Sequence, residues 1–185
     1  MKDREIIQKQ IAFYYPFNIS SYTIEYTNFL HELDILKERE HKRKEWYNFI
    51  DEIKQNFGFE SFSDRTDNNP ANIGIIYFHD RDEKKIFEFV ICASFISNFF
   101  CYYVNELTYD YQKISTSFIS QVWNSIPSQI FQDASKVLNI FNKYFLNFKL
   151  LDYSILSSKV DSYASRSNDL GNATIFNLLF TDNIF

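Results

Sequence analysis

Few residues in this chain could do chemistry, and most of those lie in one short run. His79-Asp80 is the first grouping. A His–Asp pair can serve a metal-dependent phosphohydrolase, where such ligands converge from several helices. Here the pair follows an apolar strand-like run, and the other histidines, His31 and His41, fall in a charged helical segment. A metal site would therefore need ligands from distant parts of the chain. Asp80 with Glu83-Lys84-Lys85 is the second grouping. Its composition is that of a nuclease core, but that chemistry sets a carboxylate on one strand and an acid-x-Lys on the next, held around a metal. In this chain the acids and lysines share one short connection. Both groupings read as the solvated rim of a hairpin.

Nucleophilic catalysis finds no better footing. Neither Cys92 nor Cys101 has a histidine neighbour, and their apolar strand context disfavours a thiolate. The two could face each other across adjacent strands, and they read as buried free thiols in preference to a disulfide. No Gly-x-Ser-x-Gly elbow occurs, and the 3 glycines are too far apart for a phosphate-cradling loop. The sequence thus points to no cofactor and no metal.

The elements that must position these residues are clearer. Residues 72–111 read as three consecutive strands, Ile73–His79, Ile86–Phe95 and Phe99–Leu107, rich in the β-branched and aromatic residues that sheets favour. The first is almost continuously apolar, which implies cover on both faces. DRDEKK and Ser97-Asn98 supply the turns; a single buried helix through 86–96 is the rival reading. Phe148–Leu156 and Ala173–Phe180 are two further strand candidates, with Gly171 after Asn168 and Asp169 marking the turn between them.

Helical periodicity flanks the strands. Ile6, Ile7, Gln10, Ile11 and Tyr14 predict a short helix ending before Pro16. Residues 25–57 carry two apolar stripes, Phe29, Leu33, Leu36 and then Trp46, Phe49, Ile50, Ile53, Phe57, separated by KEREHKRKE at 37–45. Opposite charges at helical spacing, with no Gly or Pro, favour one long helix over two. Its basic cluster is interleaved with glutamates and reads as a solvated face. From Ser115 the period changes, and Phe118, Ile119, Val122 and Trp123 suggest a turn or two of helix before Pro127. Ile130, Ala134, Val137, Leu138, Phe141 and Phe145 form the cleanest amphipathic stripe. Segregated helices and strands give an α+β class: one domain over 1–185, with an antiparallel sheet of about five strands packed by a long N-terminal helix and a later amphipathic one.

Composition narrows the function classes. A net charge of −5 argues against a dedicated nucleic-acid binder and against anionic membrane surfaces, and it suits a basic protein partner. No signal-peptide pattern and no apolar run of membrane-spanning length is evident, so the chain reads as cytoplasmic. Aromatics make up 19% of it. Tyr14, Tyr15, Tyr22, Tyr26, Tyr102, Tyr103, Tyr109 and Tyr111 gather near element ends, either as interface residues or as a tyrosine-rich core edge. The loop 61–72 and the DRDEKK turn present the carboxylates Asp64, Asp67, Asp80, Asp82 and Glu83, the candidate contacts for a partner.

An acidic chain of this size, with a charged N-terminal helix, a central meander and the ending GNATIFNLLFTDNIF, resembles the immunity proteins of bacterial polymorphic-toxin systems, such as contact-dependent inhibition and type VI secretion. The resemblance implies a non-enzymatic protein that binds a cognate toxin and blocks its active site. The alternatives are a small enzyme with a pocket near His79 and Asp80, or a phage-encoded or structural interaction module.

Overall fold

Strand pairing organises the molecule. A computed structural model describes residues 2–41, 44–66, 69–80, 84–118 and 128–181. Its elements in chain order are α1 (Lys2–Tyr14), α2 (Ile24–His41), α3 (Lys44–Phe57), β1 (Phe62–Asp64), β2 (Ala71–Asp80), β3 (Lys85–Ser94), β4 (Phe99–Thr108), β5 (Lys113–Phe118), α4 (Ser128–Tyr144), β6 (Lys149–Leu150), α5 (Tyr153–Leu156) and α6 (Ile175–Leu179). The first five strands lie antiparallel in sequence order, and β6 pairs parallel to the start of β4. The molecule is therefore an α+β fold around an open antiparallel sheet, as the strand patterns predict.

Alternation along β2, β3 and β4 sends apolar residues to both faces. On the first face Ile73, Val90, Cys92, Cys101 and Tyr103 pack with Ile7 and Ile11 of α1, Phe29 and Leu33 of α2, and Phe176 and Leu179 of α6. On the second face Ile76, Phe89, Ile91, Phe100 and Tyr102 pack with Trp46, Phe49 and Ile53 of α3 and with Val137 and Phe141 of α4. Cover on both sides is why β2 reads as a nearly unbroken apolar run. Gly74 sits where the second-face aromatics come closest, since a Cβ there would lie 2.8 Å from the Phe62 ring.

The two faces also divide the segment 25–57. Its first stripe belongs to the first face and its second stripe to the second face. α2 reaches His41 and α3 starts at Lys44, and the junction of the expected single helix, residues 42–43, lies outside the described residues. Gly58 ends α3 with φ 94, the left-handed position expected of it.

Four other expectations change. Ala173–Phe180 is not a strand: α6 occupies it, opened by a capping box in which Thr174 Oγ1 accepts from Asn177 N–H and Asn177 Oδ1 accepts from Thr174 N–H. Its apolar residues are buried all round, and a short apolar run of that kind has no period to distinguish helix from strand. Of Phe148–Leu156, only Lys149–Leu150 is extended; Asp152 then caps α5 by accepting from Ser154 N–H at 2.8 Å. The segment from Ser115 belongs to β5 as far as Phe118, and the Ile119–Pro127 part of the predicted turn of helix lies outside the described residues. β1, three residues long, falls inside the stretch that reads as a loop.

The tyrosines divide. Tyr15 and Tyr26 are core residues that clip the C-terminal segment onto α1 and α2, their hydroxyls donating to Leu178 O at 2.6 Å and Ala164 O at 3.0 Å. Tyr102 and Tyr103 are buried as well, while Tyr22, Tyr109 and Tyr111 stand exposed. Burial pushes the Tyr102 phenol up to about 12 and raises Tyr103 as well. Because only the folded state disfavours these phenolates, the stability they contribute is complete below about pH 10, the unfolded value, and is lost as pH rises toward about 12. Tyrosinate absorbance from these two groups should therefore appear together with loss of far-ultraviolet circular dichroism in an alkaline titration, not ahead of it.

Cys92 and Cys101 face each other directly across β3 and β4, both fully buried and both free thiols. Burial, and then the contact with Cys92, raises the Cys101 thiol well above its ordinary value.

Candidate functional site

The hairpin between β2 and β3 carries the His–Asp pair, and strand geometry separates its members. Consecutive strand residues point to opposite faces, so His79 shares the first face with Tyr77 while Asp80 turns to the second. His79 is exposed, and Asp80 stands opposite Lys85 in the register. Lys85 itself pairs with Glu106 at 2.8 Å. Among the described residues no group of three or more His, Cys, Asp or Glu is placed to hold a metal ion. This hairpin gives acid–base chemistry no common face to work on.

Of the five predicted partner carboxylates, the two among the described residues, Asp64 and Asp80, lie apart. Asp64 pairs opposite Gly74, whereas Asp80 lies six residues further along β2, about 20 Å away at ~3.3 Å per residue. Asp67, Asp82 and Glu83 lie outside the described residues. Asp64 is also occupied within the fold. One oxygen accepts from Thr66 N–H at 3.0 Å and from Thr66 Oγ1 at 2.5 Å, and the other accepts from Trp46 Nε1 at 3.1 Å. It anchors the buried Trp46 to the β1 end and organises the turn into β2. Asp64→Ala strands those donors, and a loss of about 1–3 kcal/mol in denaturant unfolding is the expected result.

A different constellation emerges where the described helices stop covering the first face. The register aligns Tyr77, Glu88, Asn105 and Thr116 in one row across β2, β3, β4 and β5. Asn105 Nδ2 donates to Glu88 Oε2 at 3.0 Å, and Thr116 Oγ1 donates to Asn105 Oδ1 at 2.7 Å. All four residues are half-buried. Glu88 is a carboxylate in the middle of a central strand whose next residues inward are apolar, a placement that burial alone never favours. Its charge, after burial itself, helps raise the Tyr77 phenol, and Arg65 works in the opposite direction from the β1 side.

The next row inward, Ile75, Val90 and Tyr103, floors a cleft of about 380 Å³ walled by Arg65, Asn69 and Thr181. A polar row thus borders an apolar-floored depression, the combination of shape and few directed polar groups that binding sites share. Beyond the row, Tyr109, Tyr111 and Ile114 stand more than half exposed around the β4–β5 connection. The arrangement can accept a donor-rich group against Glu88 and apolar surface against the tyrosines.

Periodicity missed this site for a definable reason. Glu88 and Asn105 are visible in the sequence as polar interruptions of apolar strands, but their meeting depends on pairing register, and register is not a local property. Tyr77 and Thr116 carry no local signal at all.

Comparison with protein-family models, with curated proteins and with solved structures returned no match.

Proposed function

We propose that the protein is a non-enzymatic inhibitor of the immunity type, which neutralises a basic cognate toxin by covering its active site. One observation carries this reading above the others: the half of the first sheet face that no described helix covers combines a half-buried central carboxylate, a cleft and a rim of exposed aromatic residues. Interfaces are anchored by such aromatic and charged groups on rigid supports, with Tyr among the residues that most often carry the binding energy. The net charge of −5 speeds encounter with a basic partner. The strands that carry the row and the cleft are packed by helices on their second face, so these groups are presented on a rigid support. The resemblance to immunity proteins supplies the class of partner.

Co-expression tests it. A toxin domain encoded beside this gene should arrest growth alone and be tolerated when this protein is present. Failure of the purified protein to bind any neighbouring gene product would remove the proposal.

A further inference from the structure

Resting on that inhibitory reading, we infer that the Tyr77–Glu88–Asn105 row is the seat of a single arginine side chain of the partner. Glu88 is the anionic group at the centre of the row, and among the described residues its hydrogen-bond partner is the Asn105 amide, on Oε2. The residue as a whole is half-buried, so part of its carboxylate surface reaches solvent. A carboxylate held by one neighbour and partly open to solvent is half of a bidentate pair, and the guanidinium fork is the group whose geometry completes it.

The surroundings select the same ligand. Tyr77 flanks Glu88 directly on β2, and Tyr103 lies one residue pair inward on β4. The half-buried Tyr77 ring offers a flat electron-rich surface on which guanidinium stacks better than a hydrated ammonium. Thr116 holds Asn105 in place, so the amide that orients Glu88 is itself fixed. Arg65 lies toward β1, against the Tyr77 hydroxyl. Its charge opposes an incoming cation from that edge and leaves the neutral Asn105–Thr116 side as the way in. Half-burial raises the strength of the pairing above that of an exposed ion pair, since less water competes.

The experiment uses the whole protein and a defined probe. Nα-acetyl-arginine methylamide is titrated while the Asn105 side-chain amide is followed by nuclear magnetic resonance, in the wild type and in Glu88→Gln. Glutamine keeps an oxygen for the Asn105 amide, so the fold is retained. A saturable shift is expected in the wild type, at least about tenfold weaker in Glu88→Gln, in keeping with loss of a charged hydrogen-bonding partner. The blocked lysine analogue should bind more weakly, and the uncharged citrulline analogue should leave the amide unmoved. A linear, unsaturable response, equal binding by Glu88→Gln, or lysine equal to arginine would overturn the inference. A toxin domain that binds wild type and Glu88→Gln with the same affinity would also overturn it while leaving the inhibitory function intact. Saturable arginine binding without any toxin partner would do the reverse.

Discussion

Replacing Phe141 with alanine should destabilise the protein by about 3–5 kcal/mol, the range for removing a fully buried aromatic side chain. Phe141 is the hub of the second-face core. Its ring stacks on Phe145 with centroids 4.4 Å apart, meets Phe100 at 4.7 Å and Phe49 at 5.6 Å edge-on, and is completely buried. These contacts join α4, α3 and the sheet, so the hole left by truncation is walled by three elements that cannot all move inward together. For a domain of this size each kcal/mol lowers Tm by roughly 2–4 °C, which puts the fall at about 6–20 °C. Leu146→Ala is the control: with 82% of its surface exposed, Leu146 should cost no more than about 0.5 kcal/mol. A thermal melt that barely separates the two variants would mean that the second layer of helices does not hold the sheet.

Charge reversal at Glu88 should abolish neutralisation of the toxin with the fold intact. An arginine there presents a cation where the partner's own cation must enter, and unmatched buried charge at an interface costs about 2–5 kcal/mol, on the order of 30-fold to several thousand-fold in affinity. Asn105 loses its acceptor in this variant, so some stability is lost as well, about 1–3 kcal/mol. Circular dichroism separates that loss from the loss of binding. Asp80→Arg is the informative companion. Asp80 sits on the other face and at the rim of the β2–β3 hairpin, where charge alone would place the contact surface. Retained protection by Asp80→Arg and lost protection by Glu88→Arg locates the interface on the sheet face; the opposite pattern returns it to the hairpin rim.

The contrast between those two residues shows what a sequence discloses. The three long strands, the amphipathic stripe of α4 and the burial of β2 on both faces follow from periodicities within ten or so residues, and the structure has them where the pattern puts them. Phe29 and Trp46 are equally legible as apolar stripes, yet nothing local says that they belong to opposite faces; that division is made by the whole sheet. ATIFNLLF misleads because total burial erases period, and only the Thr174–Asn177 cap reveals its helix. β5 misleads because it is held by pairing with β4 more than by any pattern of its own. The candidate site shares this non-local origin. Glu88, Asn105 and Thr116 are separated by 17 and 11 residues and meet only through register. Aspartates in loops, by contrast, are conspicuous in sequence; Asp64 holds Trp46 and Thr66 by hydrogen bonds and also lines the cleft, neither of which the sequence discloses.

The most direct test of the account is a methyl-resolved nuclear magnetic resonance titration with the cognate toxin domain. Ile75 and Val90 border the cleft, and Ile114 lies exposed on β5; Ile53 and Ile130 are buried residues of α3 and α4 on the second face. Binding through the uncovered sheet face predicts perturbation of the Ile75, Val90 and Ile114 methyls with Ile53 and Ile130 unmoved. Perturbation of Ile53 and Ile130 with the first three silent would contradict it.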